Sequence, residues 1–227
     1  DQHSSDPSGG KFFLRLEFQT PNLDISREAL LRAFGDVVGQ RFDMDWRINF
    51  AADKPRMAIL VSRHDHALLE LLWRYARGEL PVEIPLVVSN HPDLRQAVEG
   101  FGVPFQHIAF SAETQQAAEA EMLAALDGKA DFVVLARYMR ILSGDFVQHY
   151  TSRIINIHHS FLPAFPGGDP YQQAYKHGVK LIGATAHYVT AELDQGPIIE
   201  QDTARVSHRH SIDDLKRLGR DMERQVL

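Results

Sequence analysis

Hydrophobic and polar positions change texture once along this chain, near residue 51. Before it they alternate. Phe12, Leu14, Leu16 and Phe18 stand against Arg15 and Glu17, and the same texture returns over Met44-Asp45-Trp46-Arg47-Ile48-Asn49-Phe50. Period-two alternation predicts half-buried strands. Between them Asp24 or Ser26 can cap a helix whose apolar positions Leu30, Leu31, Phe34 and Val37/Val38 keep helical spacing. The polar, glycine-bearing segment 1–10 predicts a turn. Residues 51–55, ending in Pro55, predict a linker.

After the linker the apolar runs become continuous. Met57-Ala58-Ile59-Leu60-Val61 predicts a strand covered on both faces, followed by a helix over about 66–77 with Gly78 as its stop. Strands at 84–88, 132–135 and 154–157 alternate with helices at 92–98, at 113–126 and from Ser143 to Tyr150. Asp169-Pro170 opens a further helix closed by Gly178, 180–190 and 197–206 are extended, and Ser211 with Asp214 predicts a capping box. This order predicts an α/β domain, a Rossmann-like, parallel-rich sheet with helices on both faces, preceded by a small α+β unit.

Composition narrows the function classes. With 227 residues and 44% hydrophobic content there is enough chain for one large domain, or for one domain plus a small one. A net charge of −6 argues against nucleic acid as the main partner, since phosphate binding needs a basic face. The absence of cysteine excludes disulfides, thiol catalysis and cysteine-ligated zinc, and fits a cytoplasmic protein. No apolar run reaches membrane-spanning length, and Asp1-Gln2-His3-Ser4-Ser5 lacks signal-peptide character.

The candidate chemistry sits at Arg153-Ile154-Ile155-Asn156-Ile157-His158-His159-Ser160-Phe161-Leu162-Pro163. A β-branched strand stops at two histidines, and Pro163 and Pro166 bar an immediate helix. Asn156 and His158 project from the same strand face, at a strand end where α/β sheets place their chemistry. Asp194, in the turn 193–197, can close on the pair. A carboxamide donor, an imidazole and a carboxylate suit acyl chemistry on a carbonyl: Asn156 donates to the oxyanion, and Asp194 raises the His158 pKa and moves a proton. Each residue also has a plain reading. Asn156 can bond its own backbone, Asp194 can be a turn former, and a lone histidine is more often packing. His159 points away from His158, so the two do not chelate one metal. By ligand type alone, His158, His187 and Asp194 could hold zinc.

These motifs resemble the formyltransferase fold that handles 10-formyltetrahydrofolate. The resemblance rests on Asn156-Ile157-His158 with Ser160, Leu162-Pro163 and Phe165, on Gly183-Ala184-Thr185-Ala186-His187, on Asp194-Gln195-Gly196-Pro197-Ile198-Ile199, and on Arg140-Ile141-Leu142-Ser143. It covers about 56–227. The unit over 1–52 resembles an ACT regulatory domain lacking its first strand and helix, and the last helix ends sooner than such chains usually do. That combination, with His159 where the transferases usually carry proline, resembles the formyltetrahydrofolate deformylases. The resemblance implies hydrolysis of the formyl group with no metal and no cofactor beyond the folate substrate. It implies pterin contacts from the backbone around Arg140 and Leu142, apolar walls from Met139, Ile141, Phe146 and Val147, and closure by 189–194, including Val189, Thr190, Ala191 and Glu192. His187 either lines the site or only bonds a neighbouring loop. The resemblance further implies a homo-oligomer paired through the ACT-like unit, with an amino-acid effector possible there. Formyl transfer to a ribonucleotide amine and a non-catalytic ligand sensor stay as alternatives. Against transfer, the first strand of the larger domain runs into Ser62-Arg63-His64-Asp65-His66, with no glycine to cradle an acceptor phosphate and with Asp65 expected to cap the helix itself.

Overall fold

The computed structural model describes residues 2–4 (backbone only), 12–19, 24–165 and 168–227. It divides into two compact units, Asp1–Asp53 and Lys54–Leu227. Most of segment 1–10, and Pro166, lie outside the described residues.

In the first unit, strands β1 (Gln2–Ser4) and β2 (Phe12–Leu14) pair antiparallel. Helix α1 (Arg27–Phe34) starts at Ser26, whose hydroxyl accepts from the Ala29 N–H, and runs into a π turn over Gly35–Gly39. Two expectations fail here. The first predicted strand stops at Leu14, and its apolar residues lie open, from 41% exposed at Leu14 to 72% at Leu16. A two-stranded ribbon with no buried face does not hold a longer extension. The segment 44–50 forms no strand. Trp46 instead packs against Phe34 at 4.9 Å and over Gly39, where a Cβ would lie 2.3 Å from its indole nitrogen. The aromatic contact with the helix wins over strand pairing.

The second unit follows its pattern closely. In chain order it contains β3 (Met57–Val61), α2 (His66–Ala76), β4 (Val87–Ser89), α3 (Arg95–Glu99), β5 (Phe105–His107), α4 (Gln115–Leu126), β6 (Phe132–Leu135) and α5 (Gly144–His149). Then come β7 (Ile154–His158), α6 (Pro170–His177), β8 (Leu181–Tyr188), β9 (Ile198–Arg205) and α7 (Ile212–Val226). The seven strands lie in the order β5-β4-β3-β6-β7-β8-β9. The first five are parallel, and β8 and β9 are antiparallel. The order reverses between β3 and β6, the switch point at which open α/β sheets form their crevice.

Alternate residues feed two cores. Ile59, Val61 and Ile157 pack with α2, α6 and α7 on one face; Leu60, Val133 and Ile154 pack with α4 and α5 on the other. The caps read from sequence at Ser143 and at Ser211 with Asp214 are present, and Gly78 and Gly178 end their helices in left-handed backbone.

Candidate active site

The site grows from the register of β7 against β8. Asn156 lies opposite His187 and His158 opposite Thr185, so all four side chains share the α4/α5 face of the sheet. Beyond β8 the chain must turn sharply to bring a carboxylate back. Gly196 permits this, because a Cβ there would stand 1.6 Å from the Tyr188 carbonyl oxygen. The Tyr188 N–H donates to the Pro197 carbonyl at 2.9 Å, closing the turn. Asp194 sits at φ +57°, a left-handed conformation uncommon outside glycine and characteristic of functional sites.

The chain after β7 is fixed by a buried threonine. Thr185 donates to the Ser160 carbonyl at 2.8 Å and accepts from the Leu162 N–H at 3.0 Å, and the Gln201 amide reaches both Thr185 and the Leu162 carbonyl. These contacts hold His158 at the end of a strand that cannot slide.

At the centre, His158 Nδ1 lies 3.4 Å from Asp194 Oδ1, and both side chains are buried. His187 Nδ1–H donates to the Tyr188 carbonyl at 2.9 Å, which leaves Nε2 to accept from the Asn156 amide at 3.1 Å. His187 Nε2 is also 3.9 Å from Asp194 Oδ1. His187 therefore lies against Asn156 and near Asp194 as well as bonding its own loop. It turns the Asn156 NH2 toward the site and leaves that group a second hydrogen to donate. Asn156, His158, His187 and Asp194 come together; His159 does not join them, its ring packing against Tyr171 at 5.8 Å on the other face.

Burial pushes the His158 pKa below its ordinary 6.5, and it outweighs the opposite pull of Asp194. This corrects the expectation of a raised pKa. The ring is neutral at rest, with Nδ1–H toward Asp194 and a buried Nε2 that has no hydrogen-bond partner among the described residues. Among those residues no group of three histidine, aspartate or glutamate side chains is placed to hold a metal ion.

The expected folate-contacting residues divide. Met139, Arg140, Ile141, Thr190, Ala191 and Glu192 are exposed and available to a ligand. Phe146 and Val147 are buried in the α4/α5 core, which Leu142 and Val189 also join. They support the two loops rather than wall an open pocket, because their helical spacing points them at the sheet. Glu119, which sequence gave no reason to single out, anchors the first loop by accepting from the Ser143 N–H at 2.9 Å and from the Ser143 hydroxyl.

At the start of α2, Asp65 makes no side-chain cap. His66 turns inward instead, only 7% exposed, and its Nε2 lies 2.8 Å from Glu223 Oε2. The cap expected from Asp65 is therefore absent, and the first helical residue is instead tied to α7 through this buried pair.

This fold and site define a class: residues 55–227 match the formyl transferase family. A formyltetrahydrofolate deformylase from Mycobacterium tuberculosis is 54% identical over 227 residues, covering 100% of this chain and 73% of the relative. The crystal structure of a formyltetrahydrofolate deformylase from Pseudomonas syringae superposes with a TM-score of 0.95 at 47% identity, over 100% of this chain and 76% of the other. A glycinamide ribonucleotide transformylase from Symbiobacterium toebii gives 0.72 at 31%, over 81% of this chain and 87% of the other. The chain belongs to the formyl transferase family and, within it, to the formyltetrahydrofolate deformylases.

Proposed function

We propose that this chain hydrolyses 10-formyltetrahydrofolate to tetrahydrofolate and formate, with Asn156, His158 and Asp194 at the reacting atoms. The observation that carries the reading is the buried His158–Asp194 contact at 3.4 Å beside the Asn156 amide.

The neutral imidazole sets the order of events. His158 Nε2 takes a proton from water as the water oxygen bonds to the formyl carbon, and Asp194 stabilises the imidazolium that forms. The Asn156 NH2 donates to the resulting oxyanion, a contribution of about 3–4 kcal/mol in comparable sites. His158 then returns the proton to N10, the C–N10 bond breaks, and formic acid leaves and loses its own proton to solvent. Neither metal nor cofactor enters these steps. Backbone at 139–142 and 189–192 is assigned to the pterin.

Residues 56–227 form the catalytic domain in this reading. Residues 1–52 are an ACT-like regulatory unit that takes an amino-acid effector and pairs with a second copy of the chain. Exposed Phe12, Phe13, Leu16 and Phe18 support such pairing. The product supplies formate to one-carbon and purine metabolism in the cytoplasm, without a nucleic-acid or membrane partner. Among the described residues, no helix is long and apolar enough to cross a membrane.

The test is formate release from 10-formyltetrahydrofolate with no acceptor present. Stoichiometric formate and tetrahydrofolate support the reading. Release only when an amine acceptor is added would replace hydrolysis with transfer.

A further inference from the structure

Segment 139–143, between β6 and α5, is held from two sides. At one end the Met139 N–H donates to the Ser62 hydroxyl at 2.9 Å, and that hydroxyl donates in turn to Asn90 Oδ1 at 2.7 Å. Ser62 and Asn90 are both buried. At the other end two α4 residues, one helical turn apart, reach the segment. The Gln115 amide donates to the Glu119 carboxylate at 3.0 Å and to the Ile141 carbonyl at 3.3 Å. Glu119, only 5% exposed, also accepts from the Ser143 N–H at 2.9 Å and from the Ser143 hydroxyl.

Bonded and unbonded residues alternate along the segment. Met139, Ile141 and Ser143 each give a backbone group to one of these contacts. Among the described residues, the backbone N–H and C=O groups of Arg140 and Leu142 have no hydrogen-bond partner. Helix capping does not account for the pattern. Ser143 caps α5 through its hydroxyl, which accepts from the Phe146 N–H at 3.2 Å. The Gln115 contact with Ile141 lies two residues before that cap and contributes nothing to it. A buried carboxylate is costly unless its lone pairs are filled, and Glu119 fills them from Gln115 and from this one segment.

We propose that Gln115 and Glu119, with Ser62 and Asn90 at the opposite end, are positioning residues. They preform segment 139–143 so that the Arg140 and Leu142 backbone is presented to the hydrogen-bonding edge of the pterin ring. The proposal rests on the assignment of this backbone to the pterin above and deepens it. A segment fixed before the ligand arrives loses little freedom on binding, so the clamp acts on affinity. It acts on ground state and transition state alike, and leaves the chemical step to Asn156, His158 and Asp194.

The experiment measures tetrahydrofolate Kd, KM and kcat for 10-formyltetrahydrofolate, and amide hydrogen exchange over 139–143. Gln115→Ala removes both amide contacts from a half-buried helical position and should raise Kd and KM by about threefold. Glu119→Ala should raise both by about tenfold or more, with kcat within about twofold. Glu119→Gln keeps an acceptor for the Ser143 N–H and should fall between Glu119→Ala and the wild type. The double alanine variant should fall short of the product of the single effects, since both residues act through one strap. Exchange over 139–143 without ligand should quicken in every variant. If Glu119→Ala does not fold, Gln115→Ala carries the test. Kd and KM unchanged in the folded variants would overturn the proposal, whatever the loss in melting temperature. In the wild type, tetrahydrofolate should protect 139–143 from exchange. Absence of that protection would overturn the pterin assignment itself and the clamp with it, so the two failures are distinguishable.

Discussion

The two polar clusters flanking β7 use similar side chains in opposite ways. On the α4/α5 face, Asn156, His158, His187 and Asp194 are joined by few contacts, with His158 neutral and its Nε2 unpartnered among the described residues. On the α2/α7 face, Glu223 is satisfied by His66, Arg137 and Tyr171 together. The first arrangement can gain and lose a proton at little structural cost. The second holds its charges fixed and ties α7 to α2 and α6.

Breaking the first cluster should have the largest effect. Asp194→Asn should lower kcat by about a thousandfold with KM within about twofold, because an isosteric amide neither stabilises imidazolium nor accepts charge. Steady-state kinetics on the folded variant checks this; wild-type kcat would remove Asp194 from the mechanism. Breaking the second should appear first in stability. Glu223→Ala leaves Arg137 buried without its carboxylate and should cost about 3–5 kcal/mol in urea unfolding. A cost below about 1 kcal/mol would mean that the charges are not fixed in the way described.

A subtler change sharpens the contrast. Gly219→Ala forces the Tyr171 hydroxyl aside and should cost about 1–3 kcal/mol while leaving the Asn156–His187 contact in place. The smallest effect is on pH dependence. Burial holds folded His159 down to about 3 and also lowers His158. In the unfolded chain these rings take protons near 6.5, so stability should be level above that pH and fall as pH drops from about 6.5 toward 3. Burial alone would raise the Glu223 pKa, but His66 and Arg137 hold it below 4.5, which adds to the loss under that pH. Melting temperatures from pH 8 to 4 report the slope, and His159→Phe should make it shallower.

Much of this was legible in the sequence, for local reasons. Asn156 and His158 lie two apart on a β-branched strand, and Asp194 lies in a short turn, so their convergence needed only strand alternation and one loop closure. Strands β3, β4, β6 and β7 announced themselves by apolar runs, whereas the three-residue β5 (Phe105–His107) went unread because it is too short to show a period. The second cluster was hidden because its members lie far apart: His66 and Glu223 are separated by 157 positions. Nothing local marks Arg137 for its left-handed φ of +64°. The sign of the His158 shift was also out of reach, since burial depends on how the whole sheet packs. In the first unit the alternation at 11–18 and 44–50 was real, but Trp46 found Phe34 and Gly39 instead of a strand partner.

The central claim is that water, and not an amine acceptor, takes the formyl group. The direct measurement supplies 10-formyltetrahydrofolate and glycinamide ribonucleotide together in water enriched in oxygen-18 and follows both products. Formate carrying one oxygen-18 atom, at a rate unaffected by the ribonucleotide, is the expected result. Formylated ribonucleotide as the main product would contradict it.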